Sequence, residues 1–275
     1  MKIRFEEMTS PEVGEFIKKD GMCVVVVGAC EAHGRHLPII ADTEIAYKAT
    51  LEAVKKISKK IPVAILPPVW FGYTTAILKN WPGTISIKPK VMIDLLYEIC
   101  RSLIDMGINK ILIVNGHGNN PGLIDVVVRT IGDDFKVFMG SVNAYVFWDK
   151  DYIKKNRKSK LGGVCHAGEV ETSIMLYLTD LVDMSVVDDT DMMKSDLKNC
   201  PVDCSSNNKK QYYLSTWFIE DSTYGALGDP TLASKEIGEN LHRMSVEGLC
   251  EVMEEFYNVH MKLSHRKTSR KCNKF

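Results

Sequence analysis

Met22 to Gly28 is an unbroken apolar run containing Val24, Val25, Val26 and Val27. A run without alternation predicts a strand covered on both faces. A helix is predicted after Asp42, because Ile45, Ala49, Ala53 and Ile57 recur at helical spacing while Lys48, Lys55, Lys56 and Lys59 fall on the other side. Pro62 to Leu66 predicts a second strand, stopped by Pro67 and Pro68. Trp70 to Thr84, rich in glycine, aromatic and hydroxyl residues, reads as loop. Lys90 to Met106 is amphipathic, with Val91, Leu95, Leu96, Ile99, Leu103 and Met106 assigned to the apolar face and Gly107 to the cap. Lys110 to Val114 reads as a third strand, Asn115 to Asn120 as a loop, and Pro121 as the opening of a helix. Phe135 to Gly140 is predicted as the fourth strand.

This rhythm of strand and helix predicts a single-domain α/β fold, a mainly parallel sheet with helices on both faces. Sites in such sheets form beyond the carboxyl ends of the strands. Cys30 to His36 and Asn115 to Asn120 fall there on this reading. Asp149 to Lys160 is charged and assigned to the surface, and a helix is expected to start near His166, with Ile174, Met175 and Leu178 as its apolar stripe. Ser185 to Lys210 is polar and expected to wander over the surface or toward a partner subunit. Pro230 to Tyr257 predicts a C-terminal helix, which sets a domain of residues 1–260. Residues 261–275, with Arg266, Lys267, Arg270, Lys271 and Lys274, are expected to be a basic, solvated tail.

Composition narrows the function classes. The 275 residues carry 35 basic and 35 acidic side chains, so the net charge is zero and a nucleic-acid partner is not expected. No apolar run approaches the roughly 20 residues of a membrane span. The start of the chain lacks the apolar stretch of a signal peptide, and a cytoplasmic protein is expected. The eight cysteines are scattered and read as free thiols. Cys200 and Cys204 flank Pro-Val-Asp, and a C-x3-C pair without a second pair is weak as a zinc signal.

The candidate chemistry lies in three segments: Gly28 to Ala46, Val114 to Asn120 and Cys165 to Ser173. They supply Glu31, His33, Asp42, His117, His166 and Glu169, the nitrogen and oxygen donors that divalent metals take. Taken singly, each has an ordinary explanation. Glu31 suits a solvated turn, Asp42 a helix N-cap, and Glu169 the first turn of a helix. His166 suits a core or capping position, and Asn-Gly-His-Gly-Asn-Asn a phosphate-cradling loop, although the Walker and dinucleotide spacings are missing. His166 and Glu169, three apart, would share a helix face, with Glu171 pointing elsewhere to support a ligand. No Gly-x-Ser-x-Gly elbow is present for serine hydrolysis. Convergence of the three segments on one site is the argument for metal.

These segments resemble the creatininase (creatinine amidohydrolase) family. The family's Gly-x-x-Glu-x-His-Gly-x-His-Leu-Pro stretch followed by Asp corresponds to Gly28 to Pro38 with Asp42. Asn-Gly-His-Gly-x-Asn corresponds to Asn115 to Asn120, and His-Ala-Gly-Glu-x-Glu-Thr-Ser to His166 to Ser173. Phe71-Gly72-Tyr73 with Pro82-Gly83-Thr84 matches the substrate-side loop. The resemblance implies an α/β fold, a dinuclear divalent site holding zinc, manganese or iron, and a homo-oligomer, commonly a hexamer. It assigns Glu31 and His117 to one metal, His33 to the other, and Asp42 as the bridge. Creatininase itself has a Glu two residues after the loop His, where this chain has Asn119, so Glu169 is taken as the fifth ligand. His166 matches the catalytic histidine, with Glu171 orienting it or a ligand.

The implied reaction is hydrolysis of a cyclic amide, formamide or related C–N bond of a small molecule. His166 carries the proton, and Tyr73, Trp81, Gly118, Asn119 and Trp148 contact substrate. Creatininase itself has a Trp shortly before the catalytic His, and Leu161 to Val164 here contains no aromatic residue. The resemblance therefore implies the reaction class rather than creatinine as substrate. The alternative is a non-catalytic metal- or nucleotide-binding regulator on the same scaffold.

Overall fold

In the computed structural model, four parallel strands lie in the order β2-β1-β3-β4. They are β1 (Met22–Val27), β2 (Val63–Ile65), β3 (Lys110–Asn115) and β4 (Met139–Asn143). The structure describes residues 1–192, 198–201, 203–206, 212 and 222–267, with side chains as far as Val259. The helices are α1 (Ser10–Lys18), α2 (Ala41–Ile57), α3 (Pro89–Asp105), α4 (Pro121–Phe135), α5 (Lys150–Asn156), α6 (Glu169–Leu178) and α7 (Lys235–Lys267).

The strand pleat explains the apolar run. Met22, Val24 and Val26 point into one core with Ala46, Ala49, Ala53 and Val54 of α2 and Val246, Leu249 and Met253 of α7. Cys23, Val25 and Val27 point into the other, against Phe16 of α1, Met92, Leu96 and Cys100 of α3, and Ile124 and Val127 of α4. Both faces of β1 and β3 are covered, so every residue of each is buried. Among the described residues no helix is long and apolar enough to cross a membrane.

Several expectations need correction. The buried face of α3 is Met92, Leu96, Cys100 and Leu103, while Val91 and Leu95 are exposed. The stripe is turned by about one position because the helix rests on Cys23, Val25 and Ile111 rather than on all its apolar residues. The fourth strand starts at Met139, not Phe135. Phe135 ends α4, and Lys136 in the left-handed region (φ 57°) closes it. The charged stretch after Asp149 is a helix, capped by the Asp149 carboxylate accepting from the N–H groups of Asp151 and Tyr152. α7 runs on to Lys267, into the stretch expected as tail, and residues 268–275 lie outside the described residues. The described parts of 185–210 are tied to the body of the protein: the Asp203 side chain pairs with Arg157, and the Cys204 N–H donates to Val164 O.

The position of α3 gives the first test. Leu96→Ala should lower the unfolding free energy by about 2–5 kcal/mol in urea titrations, as large-to-small core changes do. Leu95→Ala should stay within about 0.5 kcal/mol, as exposed positions do. The reverse ranking would contradict this packing.

Candidate metal centre

The carboxyl ends of β1 and β3 and the first turn of α2 meet at one point. Two glycines permit it. A side chain at Gly28 would strike Thr43 Oγ1 at 2.1 Å, and one at Gly116 would strike Asp42 O at 2.5 Å. The first turn of α2 is thereby pressed between the strand ends, and Asp42 reaches past them. Asn115 and Asn120 then shape the loop around His117. Asn115 Oδ1 accepts from His117 N (3.1 Å) and its Nδ2 donates to His117 O (2.8 Å). Asn120 Nδ2 donates to Gly28 O (3.0 Å), while its Oδ1 accepts from Tyr73 N (3.2 Å).

Three histidines share one arrangement. His33 Nδ1 donates to Glu31 O (3.0 Å), His117 Nε2 to Tyr73 O (3.0 Å) and His166 Nε2 to Ala32 O (2.9 Å). A carbonyl can only accept, so each ring spends one N–H on the backbone and turns its other nitrogen inward. His117 Nδ1 lies 2.7 Å from Asp42 Oδ2 and 3.4 Å from Glu31 Oε1. His33 Nε2 lies 3.4 Å from Asp42 Oδ1 and 3.9 Å from Glu171 Oε2, and it is buried without a hydrogen bond among the described residues. His166 Nδ1 lies 3.6 Å from Glu31 Oε1, with its ring 4.3 Å from that of His33.

The donor atoms form overlapping sets. Glu31, Asp42 and His117 make one group able to hold a cation, and His33, Asp42 and Glu171 another, so Asp42 belongs to both. Glu31, His33 and His166 make a third. Among the described residues these groups contain no cysteine, and Cys200 Sγ instead contacts Tyr212 O at 3.4 Å. The buried His33 nitrogen with no partner and the nitrogen–oxygen donor set both fit a divalent metal.

Glu169 is not in the cluster. Its carboxylate is fully buried on the far side, accepting from Lys158 N (2.8 Å), Ser159 N (2.9 Å) and Ser159 Oγ (2.5 Å). α6 begins only at Glu169, since Ala167 sits in the left-handed region (φ 55°) and Gly168 is extended. The expected helical pairing of His166 with Glu169 therefore does not form. Glu171 takes the inward position, steadied by the Ala167 N–H at 2.6 Å.

Burial shapes the electrostatics. It would depress the His33 and His117 pKa values, but the adjacent carboxylates override it. Asp42, Glu171 and Glu31 push His33 up to about 10, and Glu31 and Asp42 push His117 up to about 9. Burial raises Glu171, partly offset by His33 and His166. Asp42 is held well below the carboxylate range, because His117 and His33 outweigh its burial.

A cavity of about 440 Å³ opens onto the cluster. Gly118, Asn119 and Trp148, which were expected to contact substrate, line it. Tyr73 and Trp81 do not. Tyr73 contributes its carbonyl to His117 and packs its ring against the core. Trp81 donates to Thr223 O (3.1 Å) and supports Leu78, Cys165 and Leu227 from behind. Sequence reasoning missed Thr74, whose Oγ1 donates to Glu31 Oε2 (2.8 Å), and Thr75, whose buried Oγ1 has no partner among the described residues and which borders the cavity. It also missed Tyr145, Cys165 and Cys204 in the wall. The adjacent Thr74-Thr75 was the available signal, in a segment read as loop.

An α/β sheet with a carboxylate–imidazole cluster at its carboxyl edge defines a metal-capable protein of hydrolase type. Residues 6–253 match the family described as Creatininase: creatinine amidohydrolase, and the chain belongs to that family of hydrolases. It is similar to a mycofactocin precursor peptide peptidase of Mycolicibacterium smegmatis, 27% identical over 232 residues covering 84% of this chain and 83% of that one. It is similar to a creatinine amidohydrolase of Pseudomonas putida, 27% identical over 257 residues covering 86% and 90%. A 3-dehydro-scyllo-inosose hydrolase of Thermotoga maritima is 26% identical over 181 residues, covering 64% of this chain and only 56% of that protein. Among solved structures, a creatininase variant complexed with creatine superposes with a TM-score of 0.75 at 22% identity, over 94% of this chain and 99% of that one. A manganese creatininase superposes at 0.73 and 23% identity, over 94% and 99%. These likenesses show the shared fold.

In the absence of a cation, the raised His33 and His117 pKa values stabilise the fold fully below the ordinary 6.5, and that stability is lost as pH rises through about 9 to about 10. Chelator-treated protein should therefore weaken in denaturant titrations across this alkaline window. A flat profile would contradict the ion pairing.

Proposed function

We propose that this chain is a dinuclear metal-dependent amidohydrolase that cleaves a cyclic amide, formamide or related C–N bond of a small molecule. The observation that carries the reading is the sharing of Asp42 between two donor groups, with each imidazole locked by a backbone carbonyl to face them. Glu31 and His117 would hold one ion, His33 and Glu171 the other, and Asp42 both. Zinc, manganese and iron(II) suit these donors. A bound divalent pair supplies Lewis acidity and a water acidic enough to attack at neutral pH.

The protein's own groups do the rest. His166 is anchored through Nε2 and presents Nδ1 to the cavity, so it takes the proton of the attacking water and returns it to the leaving nitrogen. Thr74 fixes one oxygen of Glu31 and leaves the other to face the cluster. The unpartnered Thr75 hydroxyl and the Gly118–Asn119 backbone offer hydrogen bonds to substrate. Ile45, Leu78, Trp148 and Leu227 give the cavity an apolar wall that limits water. Leu161 to Val164 offers no aromatic side chain to the site, so the reading stays with the reaction class and does not name creatinine as the substrate.

Substitutions separate the roles. Asp42→Asn and Glu171→Gln should each lower bound metal below two equivalents in elemental analysis, while Glu169→Gln should leave metal content unchanged and reduce stability. Loss of metal from the Glu169 variant alone would refute this assignment. His166→Ala should keep its metal and lose about 10²–10⁴-fold in kcat on a formamide or lactam substrate. Unchanged turnover would remove His166 from the reaction.

A further inference from the structure

A second hollow adjoins the first. Beside the cavity of about 440 Å³ lies another of about 640 Å³, and Tyr145, Trp148 and Cys204 border both. A single small ligand occupies roughly 300–1,000 Å³. The inner cavity meets that need alone, and the two joined exceed it.

The waist between them is built on ordered elements. Tyr145 sits in a 3-10 helix (Ala144–Phe147) directly after β4. Its ring centroid is 6.3 Å from that of Trp148, with the planes tilted by 56°. Trp148 is pinned by Nε1 donating to Ser245 Oγ at 3.0 Å. Among the described residues the Tyr145 hydroxyl has no hydrogen-bond partner.

The outer wall combines apolar Val146, Ile153 and Pro201 with Asp149, Lys150, Asp151 and Asp203. Asp203 is already neutralised, with both oxygens 3.0 Å from Arg157 Nη1. Lys150 Nζ donates to Ser206 O at 3.3 Å. Asp151 is solvent-facing and pairs with Lys154 at 3.4 Å. Asp149 differs. Its Oδ1 accepts from Asp151 N and Tyr152 N, both at 2.8 Å, and among the described residues its Oδ2 has no partner. The wall thus offers a fixed carboxylate oxygen, held by a helix start, at a distance from the reacting groups.

We propose that the outer hollow is a second substrate subsite, and that the substrate is a two-part molecule. Its hydrolysable amide lies at the carboxylate–imidazole cluster. Its tail passes the Tyr145–Trp148 waist beside Cys204 and ends in a protonated amine paired with Asp149. This rests on the amidohydrolase reading and adds the substrate's extent and its far end.

The test uses metal-loaded protein and N-hexylformamides ending in an amine, a hydroxyl or a carboxylate. The amine-tailed compound should show a KM about fivefold below the hydroxyl-tailed one, as for a partly exposed ion pair, and the carboxylate-tailed compound the highest. Asp149→Asn, which keeps the helix cap because Asn caps as well as Asp, should erase that ranking. Cys204 is exposed, although desolvation beside Glu171 and Asp203 pushes its thiol up to about 12, so its slow alkylation, followed over hours, supplies a readout independent of turnover. The amine-tailed compound should slow its alkylation by N-ethylmaleimide, followed by peptide mass mapping, more than the carboxylate-tailed one. Equal KM values for the three tails, or equal alkylation rates, would overturn the subsite. If no formamide is turned over, the amidohydrolase reading fails on these substrates, and Cys204 protection still decides whether the hollow binds the tail.

Discussion

Glu31, Asp42 and Glu171 bring three carboxylates into one hollow shielded from water. Like charges this close cannot all stay ionised without positive charge among them. The rest of the structure follows from that constraint. Without a cation the imidazoles answer it by holding their protons, which is why His33 and His117 titrate so high and Asp42 so low. With cations bound, the same rings would be neutral ligands. Their orientation suits the second state, because each has committed one nitrogen to a carbonyl of the backbone.

The fold serves this arrangement by bringing strand ends and a helix start unusually close. Gly28 and Gly116 let α2 enter between β1 and β3, and Asn115 and Asn120 lock the loop that carries His117. The cluster therefore rests on strand ends, a helix turn and doubly bonded asparagines. The cavity wall is different. Besides Ile45, Gly118 and Asn119, it takes residues from the Thr75–Leu78 segment, the turn after β4 and the segment around Cys204. Much of the cavity wall thus stands on segments other than those that build the cluster. That agrees with relatives whose names specify a creatinine, an inosose and a precursor peptide.

Much of this was legible in the sequence where one physical signal dominated. The valine run of β1 has only one reading once both faces are covered, and Ile45, Ala49, Ala53 and Ile57 fix α2. Glu31, His33, Asp42 and His117 were identifiable because charged residues follow buried strands or open a helix. The failures have local causes. Glu169 was taken from the family resemblance, and its pairing with His166 assumed that α6 starts at His166; the left-handed Ala167 delays that start by three residues and turns Glu171, not Glu169, toward the cluster. The fourth strand was displaced because the apolar Phe135 belongs to α4, whose end at Lys136 has no glycine to mark it. Thr74 and Thr75 carry no periodicity, and only the folded loop reveals what their hydroxyls face.

The most direct measurement is a crystal structure of manganese-loaded protein with anomalous scattering recorded at the metal edge. The account predicts two anomalous peaks, one at Glu31 and His117 and one at His33 and Glu171, with Asp42 touching both and Glu169 touching neither. A single peak, a peak at Glu169, or none at Asp42 would contradict it.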